Sequence, residues 1–257
     1  MGKEARQLYD DAQAMIRELI DQKTLRCHGV IGLYPANSVG DDIEIYTDDS
    51  RTEVLATFHH LRQQGLKQND KAYLCQSYFL APKDSVVKDY MGSIAVTGGA
   101  GLDDIVQQYE ADHNDYKSIM IKVIADRLAE GFAERMHERV RKEFWGYDPD
   151  ENLTNDEIIH IKYRGIRPAP GYPACPDHSE KPLLFKLLNV QKEIGITLTE
   201  SNAMHPASSV CGHYFAHPQA SYFSLGKIAK DQVTDYAKRK GMTMAEVEKW
   251  LRPNLGY

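Results

Sequence analysis

The 257-residue chain has no apolar run approaching the roughly 18 residues that a membrane-spanning helix requires, so no membrane association is expected. Its N-terminus lacks the apolar core of a secretory signal. Met1-Gly2 begins like an acylation site, but Arg6 stands where Ser or Thr is needed. Excess positive charge is missing too. Lys and Arg number 31 against 37 Asp and Glu, for a net charge of −6 and a pI of about 5.9. That balance argues against a nucleic-acid-binding face as the main role. Cysteine is sparse and scattered, at 27, 75, 175 and 211, with no Cys-x-x-Cys pair. Reduced thiols in a cytoplasmic protein are the expectation. Cys175 and His178 are three apart, and Cys211 and His213 two apart. Zinc needs three or four converging ligands, so no metal site is expected. Repeats, low-complexity tracts and an evident domain linker are absent as well.

What is present is ordinary for a soluble globular protein, with 42% hydrophobic and 26% charged residues. A chain this long can bury roughly three quarters of its unfolded surface. The spacing of Ala5, Leu8, Tyr9, Ala12, Met15, Ile16, Leu19 and Ile20 predicts a helix over 3–22. Strands are predicted at 29–34, 43–46, 53–58, 72–80 and 93–97, with a turn at Asn37–Asp42. Gly98-Gly-Ala-Gly101 reads as the start of a helix, since its spacing does not fit the dinucleotide fingerprint. A long helix is predicted over 115–145, burying Ile124, Leu128, Phe132, Met136, Val140 and Phe144. Asp126 and Glu130 lie one turn apart on another face, either as a solvated edge or as contacts for a cationic ligand. Further expectations are a helix over 183–194, strands near 195–199, 212–216 and 221–226, and helices at 229–239 and 243–252. Thr243 and Glu246 form a capping box for the last helix. One α+β domain over 1–257 with a largely antiparallel sheet is the simplest architecture.

Between these elements lies the most informative stretch, Arg164 to Lys181, with prolines at 168, 170, 173 and 176. Each proline fixes φ and removes a donor, and each pushes the residue before it into extended conformations. Neither a long helix nor a central strand can form there. A stiff strip results, with Gly171 as its one free joint, and a stiff strip loses little entropy on meeting a ligand.

Arg-Pro-Ala-Pro-Gly-Tyr-Pro-Ala-Cys-Pro-Asp-His-Ser-Glu-Lys (167–181) resembles the signature of the C-terminal activation domain of cobalamin-dependent methionine synthase. Other segments agree in order: Tyr34–Ile43, His59–Gln64, Ala125–Glu130, His137–Lys142, Leu198–Ser201 and Asp231–Met242. The resemblance runs nearly end to end. It implies a single domain with a curved, mainly antiparallel sheet flanked by helices, which binds S-adenosylmethionine. It further implies a repair role. Cobalamin oxidised to its inactive cob(II)alamin form takes one electron from a flavoprotein, flavodoxin or methionine synthase reductase, and a methyl from S-adenosylmethionine then traps the reduced cobalt.

The resemblance places the ligand against Arg167, Ala169, Gly171, the Tyr222-Phe223 pair and Glu130. Elementary chemistry agrees in kind. A carboxylate suits the planar fork of Arg167. Adenine suits exposed backbone groups, here of Ala169, Gly171 and Tyr172, and an aromatic wall, here Tyr222 and Phe223. Without the resemblance Arg167 could equally make a structural salt bridge, and Tyr222 and Phe223 could be core residues. His178 and Glu180 are expected to meet the cobalamin-carrying domain. No residue is expected to act as a general base, because methyl transfer from a sulfonium to cobalt removes no proton.

Two departures from the family pattern stand out. The family's module begins with a further N-terminal segment bearing an aspartate that meets the ligand's amino group. The chain begins instead at the helix after Gly2, as expected of a truncated module, a fragment, a split subunit or an incomplete gene model. Cys211 occupies a position expected to carry a small hydroxyl residue. Homocysteine-, folate- and cobalamin-binding modules are lacking, so the chain alone would not complete the synthase reaction. Alternative readings are a non-catalytic docking module and a stand-alone S-adenosylmethionine-dependent methyltransferase.

Overall fold

The computed structural model describes residues 2–67 and 71–257; Met1, half of the acylation-like start, lies outside them. The chain opens with α1 (Lys3–Gln22) and three strands, β1 (Arg26–Val39), β2 (Asp42–Tyr46) and β3 (Val54–His59). A 3-10 turn, Gln76–Phe79, precedes β4 (Asp89–Ala100), α2 (Leu102–Ala111) and α3 (Asp115–Arg139). After α4 (Asn155–Ile159) come α5 (Lys181–Leu188), α6 (Val190–Ile194), β5 (Thr197–Leu198), β6 (Met204–His205) and β7 (Ser209–Tyr214). The helices α7 (Lys230–Lys240) and α8 (Met244–Leu251) close the order. The main sheet is open and five-stranded, ordered β3-β2-β1-β4-β7. Ala36 pairs with Ile45 and Ile43 with Phe58, both antiparallel, and these apolar residues bury one face. The α+β class read from the sequence is the class observed. Among the described residues no helix is long and apolar enough to cross a membrane.

By its contacts the chain divides into two compact units. Residues 1–30, 95–136 and 189–210 form the first, and 31–94, 137–188 and 211–257 the second. In the first, Met15 and Leu19 of α1, Leu102 and Val106 of α2, and Met120, Ile121, Ile124 and Ala125 of α3 make one core. Small residues set the spacing there. A Cβ on Gly98 of β4 would lie 2.6 Å from the Ala125 carbonyl oxygen and 2.7 Å from the Ala129 amide nitrogen, so only glycine lets strand and helix approach. In the second unit, Leu61, Leu225 and Ile228 pack with Val233, Tyr236 and Ala237 of α7 and Val247 and Leu251 of α8.

Several local expectations need correction. The apolar run at 72–80 is not a strand, since Phe79 turns inward to an aromatic group with Phe215 and Phe223. Residues 221–226 are irregular rather than a strand. The helix expected over 183–194 breaks at Asn189, whose φ of 52° is left-handed. The long helix turns into a π-turn at Val140–Phe144, where the Trp145 amide donates to the Val140 carbonyl. Phe144, expected in the core, is exposed beneath the Arg139 guanidinium. The capping box at Thr243 and Glu246 is present as read.

Candidate functional site

In the second unit the proline-rich strip is held along its length. At its start the strip adds to the edge of β7: Ile166 bridges Phe215, and the His213 amide donates to the Pro168 carbonyl at 2.9 Å. Gly212 permits this approach, because a Cβ there would lie 2.6 Å from the Pro168 oxygen. Along the extended part, burial alternates. Ile166, Pro168 and Pro170 are buried; Arg167 and Ala169 are half-buried and Gly171 exposed. Successive residues of extended backbone point to opposite faces. Arg167 and Ala169 therefore lie on the less buried face of the extended part, with the Arg167 charge still felt by the buried His137, and Gly171 is exposed in the turn that follows.

Beyond Ala169 the strip folds on itself. The Tyr172 amide donates to the Ala169 carbonyl, the Gly171 amide to Cys175, and the Cys175 amide to Tyr172. Of the backbone groups expected to meet an adenine, the Gly171 and Tyr172 amides and the Ala169 and Tyr172 carbonyls are thus engaged within the strip, each carbonyl keeping a second lone pair. Gly171 has φ +97°, and a Cβ there would overlap the His178 imidazole. Glycine is required at this position both for the backbone conformation and to admit that ring.

The segment carrying Tyr222 and Phe223 straps the strip. The Tyr222 hydroxyl accepts from the Arg167 amide at 2.9 Å, and the Leu225 amide donates to the Pro173 carbonyl at 2.8 Å. Tyr222 is 44% exposed, so its ring remains available to a ligand. Phe223 is half-buried, its ring 6.4 Å from that of Phe79. The structure thus gathers Arg167, Ala169, Gly171, Tyr172, Tyr222 and Phe223 around one strip and strap. Glu130 belongs to the first unit, exposed on α3.

Beneath the strip's start lies a layer that the sequence reading missed. His137 stacks on Tyr214 with ring centroids 5.0 Å apart, meets Tyr163 edge-on, and is fully buried. Burial, with help from Arg141 and Arg167, pushes its pKa well below the usual value, so it is neutral. The Arg141 guanidinium lies over Tyr163 and makes a two-pronged pair with Glu151, its Nη2 being 2.9 Å from Oε1. In the sequence Arg135, Arg139, Arg141 and Lys142 resemble ordinary cations of a helix C-terminus. Arg141 differs from its neighbours by being wholly buried, which only packing reveals.

At the other end, His178 is half-buried, and burial followed by the Lys181 charge lowers its pKa. Glu180 is only 3% exposed and pairs with Lys240 of α7. The surface position expected of Glu180 is therefore not the one it holds; its carboxylate would meet a partner only after leaving Lys240. Chemically, the site offers a guanidinium, backbone carbonyls and an aromatic hydroxyl on a braced frame. These groups bind and orient.

The sequence model for the family described as "Vitamin B12 dependent methionine synthase, activation domain" matches residues 1–241. A solved structure of the MetH reactivation domain bound to AdoHcy is 56% identical in sequence, with a TM-score of 0.95. The match covers 99% of this chain and 78% of that one.

Proposed function

Because the chain belongs to the activation-domain family of vitamin B12-dependent methionine synthases, we propose that it binds S-adenosylmethionine on the strip and positions its methyl for transfer to cobalamin carried by another module. The strip from Arg167 to Gly171, accessible at Arg167, Ala169 and Gly171 and strapped by Tyr222, carries this reading. It is supported by the relative, which holds AdoHcy, the donor with its methyl gone. Arg167 pairs with the ligand carboxylate, Tyr222 and Phe223 wall the adenine, and the strip's carbonyls, with Tyr172, accept its polar hydrogens. The other substrate, reduced cobalamin, supplies the electron pair that forms the carbon–cobalt bond as the carbon–sulfur bond breaks. The electron that regenerates reduced cobalt comes from flavodoxin or methionine synthase reductase. This chain contributes placement, which can be worth several kcal/mol when reacting atoms are held in line. His178 docks the cobalamin-binding domain. The setting is cytoplasmic, in keeping with four free thiols.

Calorimetric titration with S-adenosylmethionine tests the proposal. Heat of binding is expected for the native chain. Arg167→Ala should weaken binding at least tenfold with nearly unchanged melting temperature, in line with a charged hydrogen bond of about 1.5–3 kcal/mol. No heat at millimolar ligand would reject binding and favour a docking role. Methyl turnover without cobalamin would favour a stand-alone methyltransferase.

A further inference from the structure

The strip ends in an unusual concentration of buried charge. Asp177 and Glu180 are 2% and 3% exposed, and one lysine serves both. Lys240, at the C-terminal end of α7, places its ammonium 2.8 Å from Asp177 Oδ2, pairs with Glu180 Oε1, and donates to Ser179 Oγ at 2.6 Å. One turn earlier, the Tyr236 hydroxyl donates to Asp177 Oδ2 at 2.8 Å. Asp177 also accepts from the Ser179 amide and hydroxyl, and Glu180 accepts from the His59 amide of β3. Burial and charge compete here. Burial works against ionised Asp177, but Lys240 and Ser179 outweigh it and lower its pKa. Burial outweighs Lys240 at Glu180 and raises its pKa. Burial also opposes charged Lys240, but Glu180 and Asp177 hold its pKa above the ordinary value.

Between the two pinned carboxylates stands His178, whose ring fills the space that a side chain at Gly171 would take. A mechanical path therefore runs from α7 through Asp177 and Glu180 to His178, and from His178 to Gly171 in the turn of the strip. We propose that Lys240 is a positioning residue for ligand binding, fixing the Asp177–Glu180 turn so that the strip around Gly171 is set before the ligand arrives. This rests on the reading of the strip as the S-adenosylmethionine site. Removing one partner from a buried ion pair strands the others at high cost. Lys240 contacts both Asp177 and Glu180, so its loss strips two buried carboxylates of their shared partner. Around Glu180 stand Tyr236 on α7, Cys175 and Asp177 on the strip, the buried Lys181 that follows Glu180 in the chain, and His59 on β3, whose ring pairs with Asp42.

The test compares Lys240→Met, Lys240→Met/Glu180→Gln and the native chain, by titration with S-adenosylmethionine and by amide hydrogen exchange without ligand. Lys240→Met should weaken binding at least tenfold and speed exchange of the Gly171 amide at least tenfold. The double variant, which removes one stranded charge, should bind within threefold of native. If Lys240→Met lowers only the melting temperature, leaving affinity and Gly171 exchange within twofold of native, the lysine is merely structural and the proposal is overturned. A double variant no better than the single one overturns it too. Should Lys240→Met not fold, Tyr236→Phe, which removes one bond to Asp177, should still accelerate Gly171 exchange severalfold; unchanged exchange overturns the proposal. Should the native chain give no heat with S-adenosylmethionine, the binding reading fails, while Gly171 exchange still tests the clamp.

Discussion

At the scale of single residues, Gly171 and Tyr222 show how a sequence motif becomes a shaped surface. Gly171 was legible as a joint among prolines, but its second duty, leaving room for His178, was not. Gly171→Ala forces a left-handed backbone on a residue with a Cβ and drives that Cβ into the imidazole. Strain of this kind costs about 1–3 kcal/mol. Chemical denaturation should show a loss of that size, and a change under 0.5 kcal/mol would contradict the packing described. The sequence suggests only an aromatic wall for Tyr222; its hydroxyl accepts from the Arg167 amide. Tyr222→Phe removes a hydrogen bond worth about 0.5–1.5 kcal/mol. Unfolding free energy by chemical denaturation should fall by that amount while the ring remains, and an unchanged value would contradict the strap. Such hydroxyl-to-amide contacts join residues 55 positions apart, and no local pattern announces them.

At the scale of elements, periodicity worked wherever one element's own residues decided its face. The first helix, the helix start after Gly101 and the capping box at Thr243 follow from local spacing alone. It failed where an apolar run is buried by distant partners. Phe79 and Leu225 are apolar for the sake of an aromatic cluster and the α7–α8 core, so their segments looked like strands without having strand neighbours. The glycines of β4 and α3 make the difference measurable. Gly98 meets helix backbone within 2.7 Å, whereas Gly131, exposed on α3, has nothing within 4 Å of a would-be Cβ. Gly98→Ala should destabilise by about 1–3 kcal/mol through overpacking. Gly131→Ala should stabilise by about 0.5–1 kcal/mol, because alanine is the better helix former. Denaturant midpoints of the two variants should move in opposite directions; a shared sign would refute the close approach of β4 to α3.

At the scale of the whole molecule, buried histidines couple stability to pH. His60, His137 and His213 are all buried, and burial foremost lowers their pKa values, that of His213 to about 3. A histidine kept neutral in the folded state is protonated only after unfolding. Its contribution is fully present above the unfolded pKa near 6.5 and is lost as pH falls below it. Each such group removes up to about 1.4 kcal/mol per pH unit. Unfolding free energy should therefore drop steeply between pH 6.5 and 5. His213→Asn should flatten that slope by roughly one proton's worth. An unchanged slope would mean that His213 accepts a proton in place, beside Ser93 and Phe58.

The order of residues alone determined the helix starts, the α+β class and a proline-stiffened strip carrying Arg167, because propensity, capping and fixed φ are properties of neighbours in the chain. Tertiary structure alone decided which charges are buried. Lys240 and Arg141 sit in runs of basic residues that look alike in sequence, yet Lys240 is enclosed with two carboxylates some sixty residues away and Arg141 with Glu151 of the following loop. Burial depends on what other segments bring to a point in space, and that is settled only when the chain has closed around it.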